Sequence, residues 1–288
     1  MPDDELAKAY ELGRTCALAA ECHRDLRRCA QMYGALFPPA AFGGEYLSAL
    51  TLSTAFSAPW AGADRLKVAN RTALWVSAVD RLVDHTVTTR EQVNRLTREC
   101  LSVADGAVPR SAVTRFLADL RDELATVKEF PGLQGLWRDQ LARMLVGMAT
   151  AWVWRDTRAE PTLARFLDNA DCCGSSFVDV SHWIYTADTW AKAHLDELRG
   201  VSAIVQRYLL LLGDVASYRR DVSWGDLNVL ALGVSRAEVA EEMERLAGEA
   251  DAVIERVREN SPRTAAYLRR QLGFSSGFTG ISGLGLYG

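Results

Sequence analysis

The stretch that decides the fold is Leu209-Leu-Leu-Leu-Gly-Asp-Val-Ala-Ser-Tyr-Arg-Arg-Asp221, followed by Val-Ser-Trp-Gly-Asp-Leu-Asn228. An apolar run passes without interruption into Asp214, Ser217 and Asp221. Helical residues three and four apart share a face, so these three oxygen-bearing side chains line one stripe of a single helix. Such a set suits a hard, oxygen-preferring cation. The same residues also read as a solvated helix end carrying an Asp/Arg salt-bridge cluster. A second stretch, Leu74-Trp-Val-Ser-Ala-Val-Asp-Arg-Leu-Val-Asp-His85, repeats the arrangement upstream. Asp80 and Asp84 stand i and i+4, where two carboxylates repel. At the C-terminal end of an apolar helix the dipole opposes them further. A cation between them relieves both effects, and Arg81 with His85 offers the alternative neutralisation at a surface.

Outward from these clusters, the chain reads as helices with short breaks and no convincing strand set. Pro2-Asp3-Asp4-Glu5 opens a helix with acids in its first turn. Leu6, Tyr10, Leu12, Cys16 and Leu18 then recur at helical spacing toward Leu26. Residues 41–57 read as helix or as a mobile segment. Thr88-Thr-Arg-Glu91 resembles a capping box, and Pro131-Gly132 separates two further helices. From Pro161 a helix runs toward Phe177 through Cys-Cys-Gly-Ser-Ser. Small residues there predict a kink or a close approach of backbone. Short helices are expected at 187–199 and 201–221, then at 236–259 and 263–272. The tail from Gly273 to Gly288, with six glycines, reads as coil. The expectation is one all-α domain over 1–288, a bundle of about ten helices with a Gly-rich tail at 273–288.

The 288 residues suffice for a sizeable core, with 49% hydrophobic and 24% charged residues. A net charge of −4 gives no electrostatic case for nucleic acid or an anionic membrane. No apolar run reaches the roughly 20 residues that span a bilayer, and the acidic N-terminus lacks a signal-peptide core. The six cysteines show no paired CxxC motif and read as reduced, mostly buried thiols of a cytoplasmic protein. His23, His85, His182 and His194 are scattered, so no Ser-His-Asp or Cys-His nucleophile set is arguable.

Two acidic helix ends facing each other over an apolar pit meet the physical demands of allylic diphosphate ionisation. Mg²⁺ shares its oxygen ligands with phosphates and keeps several waters. A dry pocket protects a carbocation from water, and aromatic faces such as Trp75, Trp152, Trp154, Phe177 or Trp183 stabilise positive charge. Here the chain resembles the bacterial class I terpene synthases. Asp80-Arg-Leu-Val-Asp84 resembles their aspartate-rich motif in the D-x-x-x-D form found in some diterpene synthases, with Arg81 in place of the second aspartate. Gly213-Asp-Val-Ala-Ser-Tyr-Arg-Arg-Asp221 resembles their N-D-x-x-S-x-x-K-E triad. Gly213 replaces the asparagine ligand, and Asp214 is expected to take over.

The resemblance implies a single-domain helical bundle of the class I terpenoid synthase type. It implies Asp80, Asp84, Ser217 and Asp221 as catalytic residues, with Asp214 joining them as metal ligands to three Mg²⁺ ions and the substrate diphosphate. It also implies diphosphate contacts from Arg220 and Arg165, and a pocket lined by Trp75, Cys173, Gly174, Ser175 and Phe177. The substrate would be an isoprenoid diphosphate: geranylgeranyl diphosphate, or a copalyl/labdane-type diphosphate made by an upstream class II cyclase. A homodimer is often implied. Two competing readings are a squalene/phytoene-synthase-like prenyl condensing enzyme and a non-catalytic helical partner-binding bundle.

Overall fold

The computed structural model describes residues 2–282, which form helices and connecting turns and contain no strand. In chain order these are α1 (Pro2–Met32), α2 (Gly44–Ser57), α3 (Ala63–His85), α4 (Arg90–Ala104), α5 (Ala112–Leu124), α6 (Phe130–Thr157), α7 (Leu163–Asp168), α8 (Ser175–Thr186), α9 (Thr189–Ala193), α10 (Leu195–Trp224), α11 (Arg236–Asn260) and α12 (Pro262–Ser282). Short 3₁₀ turns at Ala170–Cys173 and Val229–Leu232 complete the path.

The helix ends follow local chemistry. Thr89, Ser111 and Ser235 cap α4, α5 and α11 in reciprocal capping boxes with Gln92, Thr114 and Glu238. The first of these sits one residue later than the sequence suggested. Pro131 lies in the first turn of α6 rather than between helices, where its missing N–H is harmless. Asp188 caps the short α9 by accepting from the Ala191 amide.

α3 is the central element. Leu66, Val68, Leu74, Trp75 and Val79 are all fully buried, so it meets protein on most sides. It packs against α8, α1, α5, α2 and α6. α10 runs unbroken through Gly200 and contacts α8, α11 and α12. The two short helices expected here are therefore α9 and one long α10. Nothing lies within 4 Å of a Cβ at Gly200, so that glycine stands at an open helix surface and its cost is only one of propensity.

Three further expectations are corrected. Residues 4–14 of α1 are exposed all round, with Leu6 at 72% and Tyr10 at 66% exposure, and burial begins at Thr15. The helical spacing was real, but this part of α1 projects beyond the bundle. The segment at 41–57 is the ordered helix α2, with Leu47, Leu50 and Ala55 buried. Most of the Gly-rich tail is helix through Ser282, while Gly283–Gly288 lie outside the described residues. There Phe274 stacks on Phe56 at 5.2 Å and on Phe278 at 5.1 Å, and Ser275 and Thr279 are buried. Packing of this kind overrides weak intrinsic propensity. All six cysteines are free; Cys22, Cys29, Cys100 and Cys173 are buried, and Cys16 is exposed.

Candidate active site

The C-terminal halves of α3, α6 and α10 surround a cavity of about 630 Å³, within the range of small-molecule sites. Its inner wall is apolar, built from Ala73 and Val76 of α3, Met148 and Ala151 of α6, Val178 of α8 and Leu210 of α10. Its outer part is charged, and the exposed Trp224 and His85 mark the mouth. The two sequence clusters meet here, each because an apolar helix ends at the cavity.

From α3 come Asp80 and Asp84, one helical turn apart. Burial pushes the Asp80 carboxyl well above the usual range, and the charges of Asp84 and Asp226 push it further. Asp84 is raised by burial but held back by Arg155, and Asp226 is likewise raised by burial. From α10 come Asp214, Ser217 and Asp221, all buried on the stripe predicted from their spacing. Ser217 donates to the Gly213 carbonyl at 2.8 Å and to Asp221 Oδ2. Arg220 donates to Asp221 Oδ1 at 3.3 Å and lies over the Trp224 ring at 5.4 Å. Burial takes Asp214 up to about 8, although the Val229 amide donates to its Oδ2 at 2.7 Å.

The turn after α10 locks this cluster. Gly225 adopts a left-handed conformation (φ 75°) and reverses the chain. Asn228, fully buried, then donates through Nδ2 to the Asp214 carbonyl and to Asp221 Oδ2, both at 2.8 Å. The sequence stretch quoted at the outset ends on Asn228, but nothing in its spacing gives that residue a role.

The break expected between α7 and α8 is present and complete. Gly174 takes φ 74°, and a Cβ there would stand 2.4 Å from Val76 Cγ1. A Cβ at Gly147 of α6 would meet the Cys172 amide nitrogen at 2.8 Å, so a glycine allows the 3₁₀ turn to lie against α6. Asp171 fastens the turn by accepting from Gln140 at 2.9 Å and Gln206 at 3.0 Å. Cys172 and Cys173 thereby reach the cavity wall. Burial raises both thiols, which keeps them unreactive.

The other pocket residues expected from the sequence stand elsewhere. Trp75 donates its indole N–H to the Val113 carbonyl at 2.9 Å and packs edge-on against Phe177, so both belong to the core beneath the cavity. Ser175 donates to Gln206, and Gly174 supports the wall through Val76 without lining it. Trp152, Trp154 and Trp183 are also core. The aromatic lining is instead Phe42, Tyr46, Phe166 and Trp224. Arg165 is exposed and lies over the Trp154 ring at 5.9 Å, away from the cavity. The cationic wall is Arg81, Arg155 and Arg220. Arg155 belongs to no motif, and Asp226, although inside the stretch quoted at the outset, has no role in the sequence reading.

The donor chemistry fits Mg²⁺. Carboxylate and hydroxyl oxygens from α3 and α10 face one cavity beside arginines suited to phosphate oxygens. Among the described residues no three acidic, His or Cys side chains converge to hold an ion by themselves. Mg²⁺ is characteristically held by one or two carboxylates together with waters and substrate phosphates.

Comparison with known proteins follows the same line. The chain is 26% identical over 237 residues, 77% of its length and 76% of the relative's, to the ent-pimara-9(11),15-diene synthase of Streptomyces sp. (strain KO-3988). Among solved structures it superposes with a TM-score of 0.70 at 17% identity on the 2-methylisoborneol synthase of Streptomyces coelicolor A3(2), in complex with Mg²⁺ and geranyl-S-thiolodiphosphate. That match covers 91% of this chain and 92% of the other. The linalool/nerolidol synthase of Streptomyces clavuligerus, in complex with 2-fluorogeranyl diphosphate, gives 0.68 at 13% identity, covering 91% and 97%. No family model matches the sequence. The fold is thus the single-domain helical bundle of the class I terpene synthases. Among the described residues no helix is long and apolar enough to cross a membrane.

Proposed function

We propose that this chain is a class I terpene synthase that ionises an allylic C20 diphosphate, copalyl/labdane-type or geranylgeranyl diphosphate. Cyclisation or rearrangement of the carbocation follows, then deprotonation or water capture. The observation that carries the reading is the single cavity in which two acidic clusters and three arginines stand over an apolar wall. A prenyl condensing enzyme would also use paired acidic clusters, and it is the similarity to terpene synthases that favours the present reading over it.

Each side chain has a role in this account. Asp80 and Asp84 on one side, and Asp214, Ser217 and Asp221 on the other, would hold Mg²⁺. When bound with diphosphate, that ion neutralises the charge developing on the leaving group. Arg155 and Arg220 bind phosphate oxygens, and a guanidinium does so through two parallel hydrogen bonds. Arg81 adds a third positive charge at the same mouth. Asn228 and Ser217 fix Asp221 so that its oxygens need little reorganisation. The apolar inner wall excludes water, and Phe42, Tyr46 and Phe166 present ring faces or edges to the hydrocarbon.

The C20 preference is supported by the relative, a diene synthase matched over three quarters of both chains. The D-x-x-x-D form of the first cluster supports it independently. Release of inorganic diphosphate from allylic C15 and C20 diphosphates, with and without Mg²⁺, tests the reading. It predicts Mg²⁺-dependent release that is fastest with a C20 substrate and lost in Asp80→Ala. Release at the same rate in that variant would overturn it.

A further inference from the structure

Arg155 stands apart from both motifs and contacts the first of them directly. It leaves α6 near the C-terminal end, where a cation suits the helix dipole. Its Nη1 donates to Asp84 Oδ1 at 2.6 Å and to Asp226 Oδ1 at 3.4 Å, and its Nη2 donates to the Val83 carbonyl at 3.2 Å. Asp84 lies in the last turn of α3 and Asp226 follows α10, so one guanidinium ties together the two helix ends that carry the acidic clusters. The side chain is only 21% exposed, and its partners 28% and 20%. An ion pair so enclosed is screened far less than one at the surface.

We infer that Arg155 is a placeholder for the metal, which makes Mg²⁺ loading depend on diphosphate. The inference rests on the proposed function and deepens it. Asp80, Asp84 and Asp226 are three carboxylates lining one cavity, and Arg155 is paired with two of them. A dication approaching them meets the guanidinium already among them. Mg²⁺ alone supplies no substitute partner for that guanidinium. A diphosphate does, since it offers a bidentate anion. It also carries phosphate oxygens that Mg²⁺ prefers to share. Exchange of Arg155 from carboxylate to diphosphate frees Asp84 and Asp226 as the metal's other ligands arrive. Metal and diphosphate then bind with positive coupling, and by linkage each strengthens the other by the same factor.

This role differs from that of an arginine which only grips the substrate. A gripping residue, when removed, weakens diphosphate and leaves the response to metal alone unchanged. A placeholder, when removed, lets metal bind alone.

The experiment is a thermal-shift and calorimetric titration of the full chain with Mg²⁺ alone, inorganic diphosphate alone, and both. Wild type should be stabilised only by both together. Arg155→Gln should melt lower in metal-free buffer and be stabilised by Mg²⁺ alone. It should respond to Mg²⁺ alone at concentrations about tenfold or more below those at which wild type still shows no response, within the usual range for coupled sites. Arg155→Lys keeps the charge and protects folding, but it gives up the second nitrogen that holds the Val83 carbonyl, so it should fall between the two. A response to Mg²⁺ alone in neither variant overturns the placeholder role while leaving the site intact. A wild type that ignores even both ligands together overturns the reading of the site, and the placeholder with it.

Discussion

Asn228 holds Asp221: its Nδ2 donates to the carboxylate at 2.8 Å and to the Asp214 carbonyl at the same distance. One buried amide thus ties the turn after α10 back to two members of the second acidic cluster. Asn228→Ala leaves those acceptors short of a buried donor, a loss of about 1–3 kcal/mol. The melting temperature should fall and the Mg²⁺ needed for half-maximal turnover should rise. Unchanged metal dependence with a lowered melting temperature would reduce Asn228 to a structural tie.

The two acidic clusters should separate in their effects. Asp80→Ala should lower turnover by about a hundredfold or more, as expected when a ligand of the ion that neutralises the departing charge is lost. Ser217→Ala and Asp221→Ala should raise the Mg²⁺ requirement as well as lower kcat. Steady-state kinetics across a Mg²⁺ series distinguishes them. Unaltered Mg²⁺ dependence in both α10 variants would remove that stripe from the metal site.

Asp179 does not line the cavity and gives a pH dependence of stability. It is fully buried and accepts hydrogen bonds from Ser202, Tyr267 and Gln271. Burial nevertheless raises its carboxyl from 3.8 to about 6, so the fold favours the neutral form. Its stabilising contribution is complete below the unfolded value and is lost as pH rises through about 6. Asp179→Asn keeps the shape without the charge. The stability gap between variant and wild type should therefore move in the variant's favour between pH 4 and 6, measured by urea unfolding. A gap that stays constant over that window would show that Asp179 does not titrate there.

Gly174→Ala probes the break that shapes the cavity wall. The φ of 74° disfavours any side chain, and the new Cβ would collide with Val76. A loss of about 3 kcal/mol is expected from the two effects together, with displacement of Val76 into the cavity. Turnover should fall even at temperatures where the variant is folded. Wild-type stability and turnover would show that the break is not needed to form the wall.

How much of this was legible in the sequence can be judged from particular residues. Asp80, Asp84, Asp214, Ser217 and Asp221 were legible because helical spacing alone puts each set on one stripe. The break at Gly174 was legible because small residues interrupt a helix where nothing else would. Trp75 and Phe177 were assigned to the pocket and belong to the core, since a helix buried on most sides does not reveal which face meets a cavity. Arg165 is the sequence's candidate for diphosphate, whereas the arginine of this region that lines the cavity is Arg155. Its partners lie 71 residues away on either side, and no local pattern encodes such a meeting. The helix at 273–282 was hidden by its glycines, because contacts such as Phe274 with Phe56 exist only once the bundle has formed.

The most direct test of the central claim is incubation of the purified chain with Mg²⁺ and, separately, farnesyl, geranylgeranyl and copalyl-type diphosphates. Extracts are read by gas chromatography–mass spectrometry. The account predicts a C20 hydrocarbon or alcohol from a C20 substrate, absent without Mg²⁺ and absent with Asp80→Ala. Only spontaneous hydrolysis products from every substrate, or head-to-head coupled C30 or C40 chains, would contradict it.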